Sequence, residues 1–163
     1  MDTNNYFNAL GQIAWLWSQS PLHKDWSTSL LARNVIPAIH HGQYVILIQN
    51  DYPIAYCSWA NLNLENEAKY IQDVTSLTLE DWNSGDRKWF IDWVTPFGDT
   101  SLLYKYMREK FPYALFRAIR ASQKKQGIGR IIHIQGGKVN KQQAREKFTV
   151  YYNELIEALK KSN

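Results

Sequence analysis

The positions of apolar residues along this chain predict helices at both of its ends. In residues 5–19 apolar side chains recur at roughly helical spacing, which predicts a helix on this segment. The helix should end at Ser20-Pro21, because proline disfavours helical geometry in the residue before it. Residues 141–161 carry a second long apolar face, so we expect the chain to close on another helix.

Segments rich in β-branched and aromatic residues predict the strands of a sheet. Residues 43–49 and 54–60 flank a turn at 50–53, which indicates a β-hairpin. Residues 88–95 (KWFIDWVT) are apolar on both faces, so this strand should be central in its sheet. Two more strands are predicted at 113–120 and 130–135.

Shorter helices are predicted between the strands. A helix at residues 27–33 should be followed by another that is broken near Pro37, since proline removes a backbone donor. Residues 64–72 and 101–110 complete the set of predicted helices. Helices interleaved with a hairpin and single strands indicate an α+β or α/β protein, with a mixed sheet, in a single domain spanning 1–163.

The composition is that of a globular protein, with 45% hydrophobic and 21% charged residues. The N-terminal segment lacks the basic and apolar regions of a signal peptide, and no stretch approaches the ~20 apolar residues that span a bilayer. We therefore expect a cytoplasmic protein without a transmembrane segment. The single cysteine, Cys57, excludes an intrachain disulfide and a cysteine-based metal cluster.

Charge is distributed unevenly along the chain. Residues 1–104 contain five Lys/Arg and eleven Asp/Glu, whereas residues 105–163 contain fourteen and four. The net charge of +4 therefore hides an acidic front part and a basic back part. A basic part of this kind favours an acidic partner, whether nucleic acid, a membrane surface or an acidic protein.

His23 lies on the segment that should leave the first helix. A histidine on such a loop can reach a cleft and titrates near neutrality, so His23 is a candidate proton acceptor. The alternative is a loop histidine that caps a helix or faces water. Ser20, three residues earlier, is a candidate supporting residue or nucleophile, but this spacing is weak evidence because activation depends on spatial geometry. Its alternative role is local hydrogen bonding at the helix end.

Asp92 is the second candidate, in the middle of the aromatic strand WFIDWV. A carboxylate at such a position is costly to bury unless it is paired or hydrogen-bonded. Alternation places Asp92 on the face of Phe90 and Val94. Beside an imidazole it would fix the tautomer and stabilise the imidazolium, and the alternative is a carboxylate that anchors a loop through backbone N–H groups.

Cys57 is a further candidate nucleophile, because a thiolate can carry an acyl group. It lies in an apolar strand with no adjacent base in the sequence, so a buried and inert thiol is the favoured interpretation. No spacing typical of metal ligands occurs, since His40 and His41 are adjacent and cannot form the i, i+4 pair of a helical site. We therefore expect no metal site.

A group of basic residues surrounds the sequence Gln126-Gly127-Ile128-Gly129. A glycine loop with exposed N–H groups can cradle phosphate, but two glycines with neighbouring lysines also describe an ordinary hairpin turn. The basic residues of this group are Arg117, Arg120, Lys124, Lys125 and Arg130.

Three segments taken together resemble one family, the RTX toxin-activating lysine acyltransferases, which are the haemolysin- and leukotoxin-activating C proteins. The segments are AWLWSQSPLHKDW at 14–26, AYCSWANLNLENEAKY at 55–70 and SGDRKWFIDWVTPFGD at 84–99. The similarity continues through YKYMREKFPYALFRAIR at 104–120 and Gly136-Gly137-Lys138, so it covers nearly the whole chain.

The resemblance implies a Gcn5-related N-acyltransferase-like fold and a homodimer. It implies an enzyme that transfers a fatty acyl chain from acyl-acyl carrier protein to internal lysines of an RTX protoxin, with no bound cofactor and no metal. The catalytic His and Asp of the family match His23 and Asp92. The loop at 124–129 has Lys where the coenzyme A-binding loop of the wider superfamily has Gln or Arg, which argues against free acyl-coenzyme A as the donor.

The mechanism expected from these residues has His23 accepting a proton from the attacking lysine while Asp92 holds its ring. Basic residues of the C-terminal part would dock the acidic carrier protein, and Arg117, Arg120, Lys124 and Lys125 are the candidates.

Two other classes of function compete with the enzyme: a nucleic-acid-binding module, suggested by the basic part, and a non-enzymatic chaperone that binds the protoxin. The acidic front and the lack of an aromatic-basic RNA signature argue against nucleic acid.

Overall fold

The computed structural model describes residues 2–120 and 130–161, which form five α-helices and five β-strands. A single 3₁₀ turn, Glu80–Trp82, precedes the third strand. The helices are α1 Thr3–Gln19, α2 Thr28–His41, α3 Leu64–Gln72, α4 Thr100–Lys110 and α5 Lys141–Lys161. The strands are β1 Tyr44–Gln49, β2 Tyr52–Leu62, β3 Arg87–Val94, β4 Leu115–Arg120 and β5 Arg130–Gln135.

The strands form one mixed sheet in the order β1-β2-β3-β4-β5. β1 and β2 are antiparallel, β3 and β4 are parallel, and β4 and β5 are antiparallel. The predicted α+β class is confirmed, and the mixed sheet is consistent with a Gcn5-related N-acyltransferase-like fold. The central position predicted for the strand that carries Asp92 is also confirmed, since β3 has two strands on each side.

Two compact units are distinguished along the chain. The first comprises Met1–Trp59 and Ile91–Tyr106, and the second comprises Ala60–Phe90 and Met107–Asn163. The core of the first unit joins α1, α2, β2 and β3 through buried side chains that include Ile13, Trp17, Val35, Ile39, Tyr56 and Val94. That the whole chain is a single domain stays a prediction.

The second unit is organised around β3, β4 and the helices α3 and α5. Phe90 on β3 stacks on Phe116 on β4, with ring centroids 4.3 Å apart. At the end of β5, Gly136 packs so closely on Phe111 and Pro112 that any Cβ would overlap their backbone atoms. Only glycine fits at this position without a shift of the neighbouring backbone.

Residues 28–41 form one continuous helix, so the prediction of two helices with a break near Pro37 is wrong. A proline inside a helix removes one hydrogen bond and costs ~3 kcal/mol. The buried side chains Val35 and Ile39 flank Pro37, and full burial of one such side chain contributes ~1.5–3 kcal/mol. The helix also has caps at both ends, because Ser27 accepts from the Leu30 N–H and Gly42 is left-handed with φ 65°.

The hairpin between β1 and β2 is confirmed, but its turn is shorter than the predicted four residues. Asn50 and Asp51 both have positive φ, 50° and 66°, and β2 already begins at Tyr52. Two consecutive residues with positive φ suit a tight two-residue turn, and Asn and Asp tolerate this conformation best among residues other than glycine.

Candidate active site

The end of α1 and the turn that follows it place His23 in the interior of the first unit. Ser20 caps the helix with its N–H on the Trp17 carbonyl, and the N–H groups of His23 and Lys24 both donate to the Ser20 carbonyl, at 3.0 and 2.9 Å. The N–H of Trp26 in turn donates to the His23 carbonyl at 2.9 Å. This hydrogen-bonded turn fixes the histidine backbone, and only 4% of the residue remains exposed.

Each nitrogen of the His23 ring faces a polar side chain. Nδ1 lies 2.8 Å from Oγ of Ser20, and Nε2 lies 3.6 Å from Oδ1 of Asp92 on β3. The distance between Ser20 and His23 is that of a hydrogen bond, whereas the distance between His23 and Asp92 is somewhat longer than a hydrogen bond. The structure therefore brings together three of the residues that the sequence suggested for chemistry, in the order serine, imidazole, carboxylate. This arrangement can take up a proton at one ring nitrogen and stabilise the resulting charge at the other.

Two tryptophans enclose the imidazole. The His23 ring centroid is 4.9 Å from that of Trp17 and 4.6 Å from that of Trp26, and the two indoles meet edge to face at 5.1 Å. Asp92 is 4% exposed, so the pair of ionisable groups lies in a site with little water. Electrostatic interactions are stronger in such a site than at the surface, which increases the effect of Asp92 on an imidazolium.

Several buried polar atoms of the first unit lack hydrogen-bond partners among the described residues. They include Oδ2 of Asp92, the hydroxyls of Tyr56 and Ser58, and Nε1 of Trp17. Burial raises the pKa of the Tyr56 phenol well above its ordinary value, and the negative charge of Asp92 raises it further. Tyr56 was not among the candidate residues predicted from the sequence, although a tyrosine in the interior of an apolar strand is a signal, because its buried hydroxyl needs a partner.

Cys57 is fully buried on β2, as the inert interpretation predicts. Burial raises the pKa of its thiol, and the charge of Asp92 raises it further. The thiol is therefore protonated at neutral pH and is a poor nucleophile, because the thiolate is the reactive form.

The basic residues expected at a docking surface do not share one environment. Arg120 is exposed at the end of β4, but Arg117 is only 3% exposed. The guanidinium of Arg117 lies between the rings of Trp89 and Tyr151, at 4.5 and 4.9 Å from their centroids. The structure thus removes Arg117 from a docking surface. Lys124 and Lys125, like the glycine loop at 126–129, lie outside the described residues.

A buried ionic cluster surrounds Glu67 in the second unit. Glu67 on α3 is 0% exposed and accepts from Nη1 of Arg87 at 3.0 Å, from Nε1 of Trp89 at 2.7 Å and from Arg117. Arg87 also donates to Glu154 on α5. Burial raises the pKa of Glu67, while Arg117, the indole N–H and Arg87 oppose that rise. The cluster joins α3, β3, β4 and α5, and nothing in the sequence pattern singled out Glu67.

An open groove of about 420 Å³ runs between β5 and α5 in the second unit. Its lining includes Lys141, Arg145, Phe148 and His133, whose ring lies 4.4 Å from that of Phe148. Neither His23 nor Asp92 lines it. Within residues 2–120 and 130–161 there is no cluster of three or more His, Cys, Asp or Glu that could hold a metal ion. The same part of the chain contains no helix that is long and apolar enough to cross a membrane.

Comparison with known proteins identifies the family. Residues 2–135 match the RTX toxin acyltransferase family. The RTX-II toxin-activating lysine-acyltransferase ApxIIC of Actinobacillus pleuropneumoniae is 57% identical, covering 98% of this chain and 99% of the relative. The protein-lysine myristoyltransferase HlyC of Escherichia coli is 56% identical over 100% and 95%, and the leukotoxin-activating lysine-acyltransferase LtxC of Aggregatibacter actinomycetemcomitans is 59% identical over 98% and 95%. A family match over most of the chain and relatives of nearly the same length lead to one conclusion: this chain belongs to the RTX toxin acyltransferase family.

Proposed function

We propose that this enzyme transfers a fatty acyl group from acyl-acyl carrier protein to internal lysines of an RTX protoxin and thereby activates the toxin. The observation that carries the proposal is the identity of 56–59% to proteins named lysine acyltransferases, over nearly their whole length. The contact between His23 and Asp92 supports it from the side of the chemistry. The carrier protein donor, the homodimer and the cytoplasmic location rest on the family resemblance and the sequence.

The chemical problem is to make a lysine nucleophilic. Its ammonium group is protonated at neutral pH, so a base must remove a proton before the nitrogen attacks the thioester carbonyl carbon. We assign the ring proton of His23 to Nε2, where Asp92 accepts it, which leaves Nδ1 as the basic nitrogen. Ser20 lies against Nδ1 at 2.8 Å, so its hydroxyl is placed to relay the proton of the lysine or to order a water that does so.

Collapse of the tetrahedral intermediate completes the transfer. The carbon–sulfur bond breaks, the new amide bond remains on the lysine, and the imidazolium of His23 returns its proton to the departing thiolate of the carrier. The negative charge of Asp92 stabilises the imidazolium between these steps. Backbone N–H groups at the edge of β3 are proposed to stabilise the oxyanion, as such donors do in other acyl transfers.

A second route is favoured by the geometry of Ser20. Its hydroxyl contacts a ring nitrogen whose partner nitrogen faces a carboxylate, and this is the arrangement that activates a serine nucleophile. In that route the acyl group would pass through an ester on Ser20 before it reaches the lysine.

Intact masses of both proteins test the function. The purified chain is incubated with acyl-loaded carrier protein and a lysine-containing protoxin fragment, and we expect an acyl mass increase on the fragment. An increase on the enzyme in the absence of the fragment, lost with Ser20→Ala, would establish the ester route. No increase on either protein, with the carrier still loaded, would contradict the enzymatic proposal. A salt-sensitive shift of RNA or DNA in a gel would then favour the nucleic-acid-binding alternative.

Carrier docking is proposed to involve Arg120, Lys124 and Lys125. We expect the double variant Lys124→Glu/Lys125→Glu to weaken carrier binding by about tenfold or more, and to reduce its dependence on salt, because two cations facing an acidic partner become anions. Binding is measured by calorimetry at low and moderate ionic strength. The control is Lys160→Glu/Lys161→Glu at the exposed end of α5, which makes the same change in net charge. Equal weakening by both variants would indicate a general charge effect and would refute the docking assignment.

A further inference from the structure

Within the described part of the chain, the carboxylate of Asp92 contacts a polar partner through only one of its two oxygens. Oδ1 faces His23, but Oδ2 is buried without a hydrogen-bond partner among the described residues. A buried carboxylate oxygen without a donor is costly, since it has lost its hydration and gained nothing in exchange. A site that uses this carboxylate to hold an imidazole therefore needs a second donor for it.

Tyr56 and Ser58 on β2, the strand next to β3, are buried donors without hydrogen-bond partners among the described residues. They lie two residues apart and therefore point to one face of the sheet, while Asp92 and Val94 share a face of β3, the neighbouring strand. Tyr56 and Val94 belong to the same buried core cluster as Trp17 of α1. All four side chains accordingly face α1, on the side of the sheet where His23 lies.

The phenol of Tyr56 is suited to be that donor. The residue is 0% exposed, and its hydroxyl lies beside that of Ser58 without forming a well-aligned hydrogen bond among the described residues. Burial and the charge of Asp92 raise its pKa more than the neighbouring Ser58 hydroxyl lowers it, so the phenol keeps its proton throughout the neutral range and can donate it. The influence of Asp92 on this phenol also indicates that the two groups are close enough to interact electrostatically.

We propose that Tyr56 is a positioning residue of the acyl transfer site: its O–H donates to Oδ2 of Asp92 and holds the carboxylate with Oδ1 directed at Nε2 of His23. The inference deepens the proposed function and rests on it. Hydrogen bonds of catalytic groups are commonly long before substrate binds and shorten in the reacting complex. The Tyr56 hydrogen bond does not require substrate: it holds the carboxylate in the free enzyme, and the 3.6 Å between Oδ1 and Nε2 shortens when substrate binds.

The other titratable groups around the carboxylate are few. Cys57 on β2 is protonated and uncharged, and its pKa is itself raised by the charge of Asp92. Tyr44 on β1 pairs with Ser58 across the hairpin and is half-buried, with a pKa raised by burial. Lys24 and Asp25 next to His23 on its own turn are exposed. Among the buried donors of this unit that lack a partner in the described part of the chain, Tyr56 is the one whose pKa also responds to the charge of Asp92.

Tyr56→Phe tests the proposal, because it removes the hydroxyl and keeps the ring in the core. We expect kcat for acyl transfer to fall about 10- to 100-fold, as for the loss of a hydrogen bond to a charged group, with KM for carrier and protoxin fragment unchanged. The acid limb of the pH–rate profile should move to higher pH. Without the Tyr56 donor, the negative charge of Asp92 is less neutralised and stabilises the protonated imidazole of His23 more strongly. A higher pH is therefore needed to deprotonate His23, the base of the reaction.

Tyr44→Phe is the matched control, a tyrosine of the neighbouring strand that loses the same atom. It should keep both the wild-type rate and the wild-type pH profile, and thermal unfolding should show that both variants remain folded. In an Asp92→Asn background the additional effect of Tyr56→Phe should largely vanish, because the two groups act through one contact. A folded Tyr56→Phe protein with an unmoved acid limb, or with an undiminished effect in the Asp92→Asn background, would overturn the proposal.

A measurement without substrates separates this inference from the proposed function. The imidazole of His23 is titrated by NMR in the wild type and in Tyr56→Phe, with the signal assigned from its loss in His23→Ala. The midpoint should lie at higher pH in Tyr56→Phe whether or not the chain transfers acyl groups. Identical midpoints would refute the positioning role even if acyl transfer is demonstrated, whereas a shifted midpoint in a chain without transfer activity would contradict only the proposed function.

Discussion

Replacing His23 with alanine is expected to reduce acyl transfer by about 10²- to 10⁴-fold, the usual contribution of a positioned general base. The imidazole of His23 contacts the hydroxyl of Ser20 through one ring nitrogen and the carboxylate of Asp92 through the other. Without it the lysine has to lose its proton to solvent, at a site that the two tryptophans shield from water. The measurement is the initial rate of mass increase on the protoxin fragment with saturating acyl-loaded carrier.

His40→Ala is the control for this variant. It removes the same side chain from an exposed position in the last turn of α2, and it should leave the transfer rate unchanged. Because His23 is buried against Trp17 and Trp26, circular dichroism and thermal unfolding should accompany the assay. A folded His23→Ala protein that transfers the acyl group at the wild-type rate would show that another group accepts the proton.

The second large effect is expected on stability rather than on the chemistry. Glu67→Gln should lower the free energy of unfolding by about 3–5 kcal/mol, because it leaves the buried guanidinium of Arg117 without its counter-ion and leaves Arg87 with Glu154 alone. For a chain of this size each kcal/mol shifts the midpoint of thermal unfolding by roughly 2–4 °C. A decrease on the order of 10 °C is therefore expected in scanning calorimetry.

Glu157→Gln is the control for Glu67→Gln, because it makes the same Glu-to-Gln change and also lies on a helix. Its carboxylate pairs with Lys160 on the surface of α5, where both side chains are more than half exposed. Exposed pairs of this kind contribute little to stability, so no measurable change in the unfolding midpoint is expected. If Glu67→Gln were equally neutral, the cluster would not be the element that holds α3 and α5 to the strands of the second unit.

The two effects distinguish the roles of two buried carboxylates in the same chain. Glu67 is compensated by three donors and has no unsatisfied oxygen among the described contacts, which is the environment of a structural ion. Asp92 has one long contact, from Oδ1 to His23, and its Oδ2 has no donor among the described residues. Its negative charge is therefore only weakly neutralised by neighbouring groups. Groups left in this condition are candidates for chemistry, because their interactions become favourable when charge develops next to them.

Local pattern was sufficient for most of the secondary structure. The end of the first helix, the hairpin, the central strand and the long closing helix all follow from proline positions and from periodicities of 3.6 and 2 residues, and the structure confirms them. Proline was misleading at Pro53, which lies in β2 rather than in the turn, and at Pro37, where the burial of its neighbours outweighs the lost hydrogen bond. Local rules fail at Pro37 because the stabilisation comes from packing partners distant in sequence.

By itself, the sequence determined the fold class, the family and the identity of His23 and Asp92 as the candidate pair. A carboxylate inside an apolar strand and a histidine after a proline-terminated helix are anomalies visible without coordinates. Only the tertiary structure decided which atoms meet: that Ser20 takes Nδ1 and Asp92 faces Nε2, that Tyr56 carries an unpaired hydroxyl, and that Arg117 is buried with Glu67. The reason is physical, since periodicity specifies the face on which a side chain lies, whereas its partner depends on segments that pack against that face from elsewhere in the chain.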